Sequence, residues 1–398
     1  MLKHKCLDQC IACTACTVQC PVTAAAREFA GPKMVGPALE RFRLFDQDIE
    51  NSADYCTNCK NCDITCPSSV PVSLFSTLAK AQYRRQNGKS LRDWILVNGE
   101  MFARLASPVA SVANMAMNNP VVRTMLKAVG IADRPLPKYA VRNFYRQFAE
   151  LRQRRFPDKI VFFPGCYIGY NDPQVGMDLV AILQASRYEV IVPDVVCCGT
   201  PAVANGYLEL AEEKARRNLR ELRRWAREGW PIVTCCTSCG LTLRQEYWEL
   251  FQADGADEVA SQHYDAGEFL LEMLEQGRLN SEFIPLAGKY LYHAPCHLRA
   301  QGIGLPGLEL LRSIPGCEVN VADAGCCGIA GSYGFKKDKY DIAMKIGERL
   351  FTKIKDSQAD MVVTECGTCR IQIEYATGVK AVHPVSLFKQ ALRLDRVG

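Results

Sequence analysis

The sequence predicts an α/β protein: two copies of one α/β domain with short parallel sheets, behind a small α-rich N-terminal domain. Three observations predict it. First, Cys10-x2-Cys13-x2-Cys16-x3-Cys20-Pro21 recurs as Cys56-x2-Cys59-x2-Cys62-x3-Cys66-Pro67. Second, from residue 159 a longer unit recurs at an offset of 129 or 130. Third, each copy of that unit alternates apolar strand-like runs with helical runs, the pattern of parallel strands covered by helices.

The first repeat carries metal chemistry. Its spacing is the bacterial ferredoxin run that holds two 4Fe–4S clusters. Three thiolates at short steps wrap a loop around one cluster. The fourth, beyond a longer step and fixed by proline, reaches the neighbouring one. This assigns Cys10, Cys13, Cys16 and Cys66 to one cluster, and Cys56, Cys59, Cys62 and Cys20 to the other. Structural zinc prefers two separated ligand pairs and fits this run poorly.

The chain has 398 residues, enough for two or three domains, and 48% of them are apolar. Its 21 cysteines stand mostly in tight groups with metal-ligand spacing, which suits a reducing compartment better than a disulfide scaffold. No apolar run follows the basic residues of Met1-Leu2-Lys3-His4-Lys5, so no signal peptide is expected and the cytoplasm is the expected site. Residues 91–160 carry 12 Lys/Arg against 5 Asp/Glu, an excess larger than the net +5 of the whole chain. A basic middle segment bears on partners rather than on fold.

Four segments follow: 1–90, 91–158, 159–287 and 288–398. In the first, Gly31-Pro32-Lys33 and Gly36-Pro37 read as turns and residues 40–44 as a short helix. Residues 73–86 have helical spacing, with Ser73 as a cap. In the second, residues 105–122 are uncharged, but Pro108, Asn114, Asn118, Asn119 and Pro120 interrupt them and argue against a spanning helix. Residues 139–155 place Val141, Phe144, Tyr145, Phe148 and Leu151 on one helical face, bordered by Lys138, Arg142, Arg146, Arg152, Arg154 and Arg155. Such a stripe lies in an anionic membrane surface or packs on its own domain.

In the two long repeats, strands are expected at 160–163, 189–196 and 232–234, then at 319–322 and 361–364. Helices are expected around 175–185, at 207–228 and at 340–354. Each copy presents five thiols just past strand ends: Cys166, Cys197, Cys198, Cys236 and Cys239, then Cys296, Cys326, Cys327, Cys366 and Cys369. Ligands gather at that edge of open α/β sheets. Five thiols exceed what zinc needs, and adjacent cysteines are strained as disulfides. A cluster in each copy fits best, with zinc or a redox-active dithiol as alternatives.

The pattern Cys–x(~30)–Cys-Cys-Gly–x(~37)–Cys-x2-Cys, present twice, resembles the cysteine-rich CCG domain of heterodisulfide reductases. Fused behind two ferredoxin runs, it resembles the iron–sulfur subunits of respiratory flavoprotein dehydrogenases, above all the anaerobic glycerol-3-phosphate type. Leu136-Pro137-Lys138-Tyr139, His293-x2-Cys296-His297 and the stretch from Cys326-Cys327-Gly328 to Lys337 carry the likeness beyond the cysteines. The resemblance implies two 4Fe–4S clusters and one or two noncubane 4Fe–4S clusters on the five-cysteine sets. It implies FAD-containing glycerol-3-phosphate dehydrogenase subunits as electron donors and membrane menaquinone as acceptor. It places the chain peripherally on the cytoplasmic face of the inner membrane. A glycolate or lactate oxidase subunit, or a thiol/disulfide reductase acting at a CCG cluster, is the alternative.

No Gly-x-Gly-x-x-Gly follows a strand, so neither flavin nor nicotinamide is expected in this chain, and it reads as a carrier of single electrons. Cys6, Cys235 and Cys317 read as ordinary thiols, although Cys235 could replace Cys236. His293 and His297 flank a ligand, where a histidine tunes a cluster or is simply satisfied in the core. His263 and His383, before the last helix of each copy, read as structural. The arginines from Arg216 to Arg227 read as a solvated face with i,i+4 pairs, not as a nucleic-acid surface.

Overall fold

The computed structural model describes residues 9–38, 51–88, 90–279 and 282–393. The helix expected at residues 40–44, and Cys6, lie outside them. The C-terminal part contains two four-stranded parallel sheets of identical order. The first comprises β1 (Lys159–Phe162), β2 (Glu189–Ile191), β3 (Ile232–Thr234) and β4 (His263–Asp265), in the order β2-β1-β3-β4. The second comprises β5 (Gly288–Tyr292), β6 (Cys317–Val321), β7 (Met361–Val363) and β8 (Ala381–Val382), in the order β6-β5-β7-β8.

The strands are buried apolar runs, as sheets covered on both faces require. In β1, Ile160, Val161 and Phe162 are fully buried, and in β3 so are Ile232 and Val233. Two features depart from the expected pattern. The strand expected at 189–196 stops at Ile191, because Pro193 has no N–H to continue a ladder. The edge strands β4 and β8 were not expected: at three and two residues they are too short to show a period of two.

One apolar core serves both repeats. Leu179, Ile182 and Leu183 of the helix Pro173–Ala185 share it with Phe388 and Val385 of the helix Pro384–Ala391, and with Leu308 and Leu311 of the helix Pro306–Arg312. Smaller cores lie on the other side of each sheet, and each includes cysteines of its own repeat. The long helices Leu208–Arg227 and Tyr340–Ser357 cover those sides. The Leu208–Arg227 arginines form the expected solvated pairs in part, as in Arg216 with Glu212. Arg223 and Arg227 instead clamp Glu258 of the neighbouring helix.

Before the first sheet, the helix Val72–Asn87 packs Leu74, Phe75 and Ala79 inward. Ser73 does not cap it. It lies inside the first turn, where its N–H donates to Asp63 Oδ1 at 2.7 Å. The uncharged stretch is broken near its prolines into Gly99–Ala106, a short turn at Ser107–Val109, Ala110–Asn118 and Pro120–Ala128. Among the described residues, no helix is long and apolar enough to cross a membrane.

The stripe expected over 139–155 takes the packing role instead. Only Phe144–Glu150 is helical. Phe144 is fully buried against Phe162 and the helix Pro173–Ala185, while Val141 is 63% and Leu151 39% exposed. The stripe therefore anchors the linker to the first repeat. The exposed apolar side chains of this region come earlier, at Leu105, Val109, Val112, Met115, Val121 and Met125.

Candidate iron–sulfur centres

Both cysteine runs bend in the same unusual way. Ala12 and Thr14 have φ of 56° and 65°, and their counterparts Asn58 and Lys60 have 54° and 58°. Left-handed backbone costs energy in non-glycine residues, so four such residues at matching places mark loops coiled for a purpose. Alternating left-handed residues turn successive thiols inward. Cys10, Cys13, Cys16 and Cys66 line one cavity, beside Lys33 and Pro67. Cys20 lies instead with Cys56, Cys59 and Cys62: burial raises the Cys62 thiol first, and the charges of Asp63, Cys59, Cys56 and Cys20 add to it. Burial likewise pushes Cys59 up to about 12.

Each long repeat gathers its five thiols in a buried pocket at the carboxyl edge of its sheet. In the second, Cys327 Sγ lies 3.2 Å from Cys369 Sγ, and Cys326 accepts the N–H of Gly328 at 3.3 Å. A hydrogen bond from Cys369 lowers Cys366 to about 6. In the first, hydrogen bonds from Cys197 and Cys239 hold Cys198 down, against its burial. Several acidic and crowded sulfurs in a dry pocket are a donor set suited to iron, which takes thiolates. His293 joins the second set: its ligand nitrogen and the sulfurs of Cys327 and Cys369 lie within 4.8 Å of one another. The first repeat has Phe163 at the matching position.

Cys235 stays apart. It is buried in the shared core, where desolvation and the carboxylates of Asp265, Asp178 and Asp172 raise it. Its carbonyl accepts from His383 Nε2 at 2.8 Å. Cys317 is half-buried in β6. His383 caps the helix Pro384–Ala391, and Arg244 Nε donates to His263 Nδ1 at 3.3 Å. Both roles are structural.

The pockets form a series. Cys59 adjoins Cys326 and Cys296, so the Cys20/Cys56/Cys59/Cys62 set neighbours the second repeat. Cys366 adjoins Cys236, so the second repeat neighbours the first. Tyr167 fits against Gly367 at that junction, where any Cβ would overlap its ring. Sequence reasoning missed the residues that hold the loops. Glu100 accepts the N–H of Cys197 at 2.9 Å, and Lys214 supports it at 3.3 Å. Tyr247 donates its hydroxyl to Cys198 O at 2.9 Å. Buried Lys80 donates to the carbonyls of Cys56 and of Ala204, the latter at 2.9 Å. The only available signal was Glu100, the last acidic residue before the acid-free stretch.

Comparison with known proteins agrees with this geometry. The family described as a 4Fe-4S dicluster domain matches residues 6–70, and the cysteine-rich domain CCG matches 160–244 and 290–374. The chain is thus an iron–sulfur protein with a dicluster domain followed by two CCG domains. It is 38% identical to a subunit of the anaerobic glycerol-3-phosphate dehydrogenase of Escherichia coli K12, over 97% of this chain and 98% of that one. It is 29% identical to a subunit of the fumarate reductase (CoM/CoB) of Methanothermobacter marburgensis, over 92% and 68%. With the glycolate oxidase iron-sulfur subunit of Escherichia coli K12 it shares 23%, over 98% and 95%. The chain belongs to the family of that anaerobic glycerol-3-phosphate dehydrogenase subunit.

Proposed function

We propose that this chain is the electron-transfer subunit of a quinone-linked glycerol-3-phosphate dehydrogenase. It takes electrons from FAD-containing partner subunits and delivers them to menaquinone. The observation that carries the reading is the series of thiol pockets, in which the Cys20/Cys56/Cys59/Cys62 set adjoins the second repeat and the second repeat adjoins the first. Cys10, Cys13, Cys16 and Cys66 hold one 4Fe–4S cluster, and Cys20, Cys56, Cys59 and Cys62 the next. The five cysteines of the second repeat and then those of the first hold noncubane clusters. The bound clusters supply one-electron oxidation and reduction. The chain's own residues bury the sulfurs, keep water out and fix the spacing through Lys80, Tyr247, Glu100 and His297. The order runs from the N-terminal run, through the second repeat, to the first. The greater identity to the glycerol-3-phosphate relative favours that donor over glycolate.

The exposed apolar helices between residues 99 and 128, with Arg123 and Lys127 half-exposed among them, suit an anionic bilayer surface. On this reading the chain sits peripherally on the cytoplasmic face of the inner membrane, and these exposed apolar side chains support it. The test is iron and acid-labile sulfide content with EPR on protein purified without oxygen. About sixteen irons per chain, four in each of four sites, is the expected result. About eight, with the CCG pockets empty or holding zinc, overturns the reading.

A further inference from the structure

A cleft separates the linker helices from the first repeat. Two adjoining hollows of about 360 and 370 Å³ meet at Arg104, Asn143 and Tyr170. That is the size range of small-molecule sites. One hollow continues to Tyr145, Val192 and Pro193, the other to Pro108 and Val141. Tyr170 ends the helix Gly165–Tyr170 four residues after Cys166, so both lie on one helical face about a turn apart. The rings of Tyr145 and Tyr170 are tilted together at 5.3 Å. Arg104 Nε donates to Tyr170 OH at 3.1 Å, and its two terminal nitrogens have no hydrogen-bond partner among the described residues.

The chemistry of this lining selects its ligand. Guanidinium nitrogens and a tyrosine hydroxyl donate to carbonyl oxygens, and two aromatic rings receive a flat ring. The outer hollow opens among apolar Pro108 and Val141, beside exposed Leu105 and Val109, which suits a hydrocarbon tail. Beneath the cleft is Cys166, close to both tyrosines.

We propose that this cleft binds the head group of a quinone, with Arg104 and the Tyr145–Tyr170 pair as its contacts and the Cys166 site as its electron donor. The proposal rests on the quinone-linked reading above. A cluster held at the Cys166 site would supply the two electrons one at a time. Two protons come from water through the open side of the cleft. Both carbonyl oxygens would become hydroxyls, and the donor site, oxidised by one electron at each transfer, would be re-reduced in between by the neighbouring second-repeat site.

Equilibrium dialysis of dimethylnaphthoquinone, which lacks a thiol-reactive ring position, against the cluster-loaded chain tests it. Arg104→Met removes the free donors and Val192→Trp fills the cleft. Iron content and EPR report folding independently. Saturable binding to the wild type, weakened at least about tenfold in whichever variant retains full iron, is expected. Unchanged binding in an iron-replete variant overturns the site and leaves the quinone reading standing. No binding to the wild type overturns both.

Discussion

His297 touches three cysteine loops at once. Its Nε2 donates to the carbonyl of Asn58 at 2.9 Å, between Cys56 and Cys59, and its Nδ1 accepts from Ser238 Oγ at 2.9 Å, between Cys236 and Cys239. Its own backbone follows Cys296. The carbonyl partner fixes the tautomer, because an oxygen acceptor requires the proton on Nε2. One imidazole therefore sets the mutual placement of three pockets. His297→Ala is expected to cost about 2 kcal/mol, two hydrogen bonds at about 1 kcal/mol each, read as a lower midpoint in anaerobic denaturation. It should also slow re-oxidation of the N-terminal clusters in rapid-freeze EPR. A variant with wild-type kinetics would show that the contact is structural only.

The crossed pairing of the two runs makes a sharp prediction. Cys66→Ser should remove about four irons and abolish the EPR signal of the site formed by Cys10, Cys13 and Cys16. Cys20→Ser should abolish the other signal. If Cys66→Ser instead erases the signal dependent on Cys56, the runs are not crossed.

Gly199 and Gly328 occupy the same place after each Cys-Cys pair, with φ of 98° and 84°. Alanine costs about 1–2 kcal/mol at either from left-handed backbone. At Gly199 the nearest atoms lie 3.5 Å from an added Cβ, whereas at Gly328 the Cβ would overlap the carbonyl oxygen of Ala343. Gly199→Ala should fold and load iron. Gly328→Ala should lose the second CCG site, as iron analysis of the two proteins will show.

Lys336 is buried between Asp54 and Asp93, at 4.0 and 3.2 Å. Burial lowers its ammonium to about 8 despite both carboxylates, against 10.5 ordinarily. Between pH 8 and 10.5 the unfolded chain holds this proton and the folded chain does not, so stability rises with pH across that window. A shift of this size is worth about 3 kcal/mol. The wild type should therefore gain on Lys336→Met in denaturation midpoint as pH rises from 8 to 10.5. Parallel curves would refute the assignment.

Leu105 and Met115 are 70% and 73% exposed on the linker helices. Replacing both with glutamate should abolish sedimentation with vesicles containing anionic lipid, at unchanged iron content. Retained sedimentation would move the membrane contact elsewhere.

Much of this was legible in the sequence. Thiol spacing alone located every cysteine that the fold gathers, because ligand loops are local. The strand–helix alternation located the sheets, because apolar runs that end at cysteines mark the carboxyl edge. What escaped lies in tertiary contacts without a periodic trace. The stripe of Phe144 and Phe148 looked the same whether it met lipid or the helix Pro173–Ala185. Glu100 and Lys80, read singly, are ordinary charges, and only folding brings them to the loops of Cys197 and Cys56. The cleft at Arg104 joins residues up to 91 positions apart, from Arg104 to Val195, and no motif links them.

The exchange of Phe163 for His293 gives the duplicated domain a polarity. Two pockets built from one template, with the same five sulfurs, differ in the neighbour each sulfur set meets: a hydrocarbon ring in one, an imidazole in the other. Identical ligands in unlike surroundings hold an electron with unlike strength. Clusters held in the two pockets would then differ in their hold on an electron through packing rather than through their own ligands.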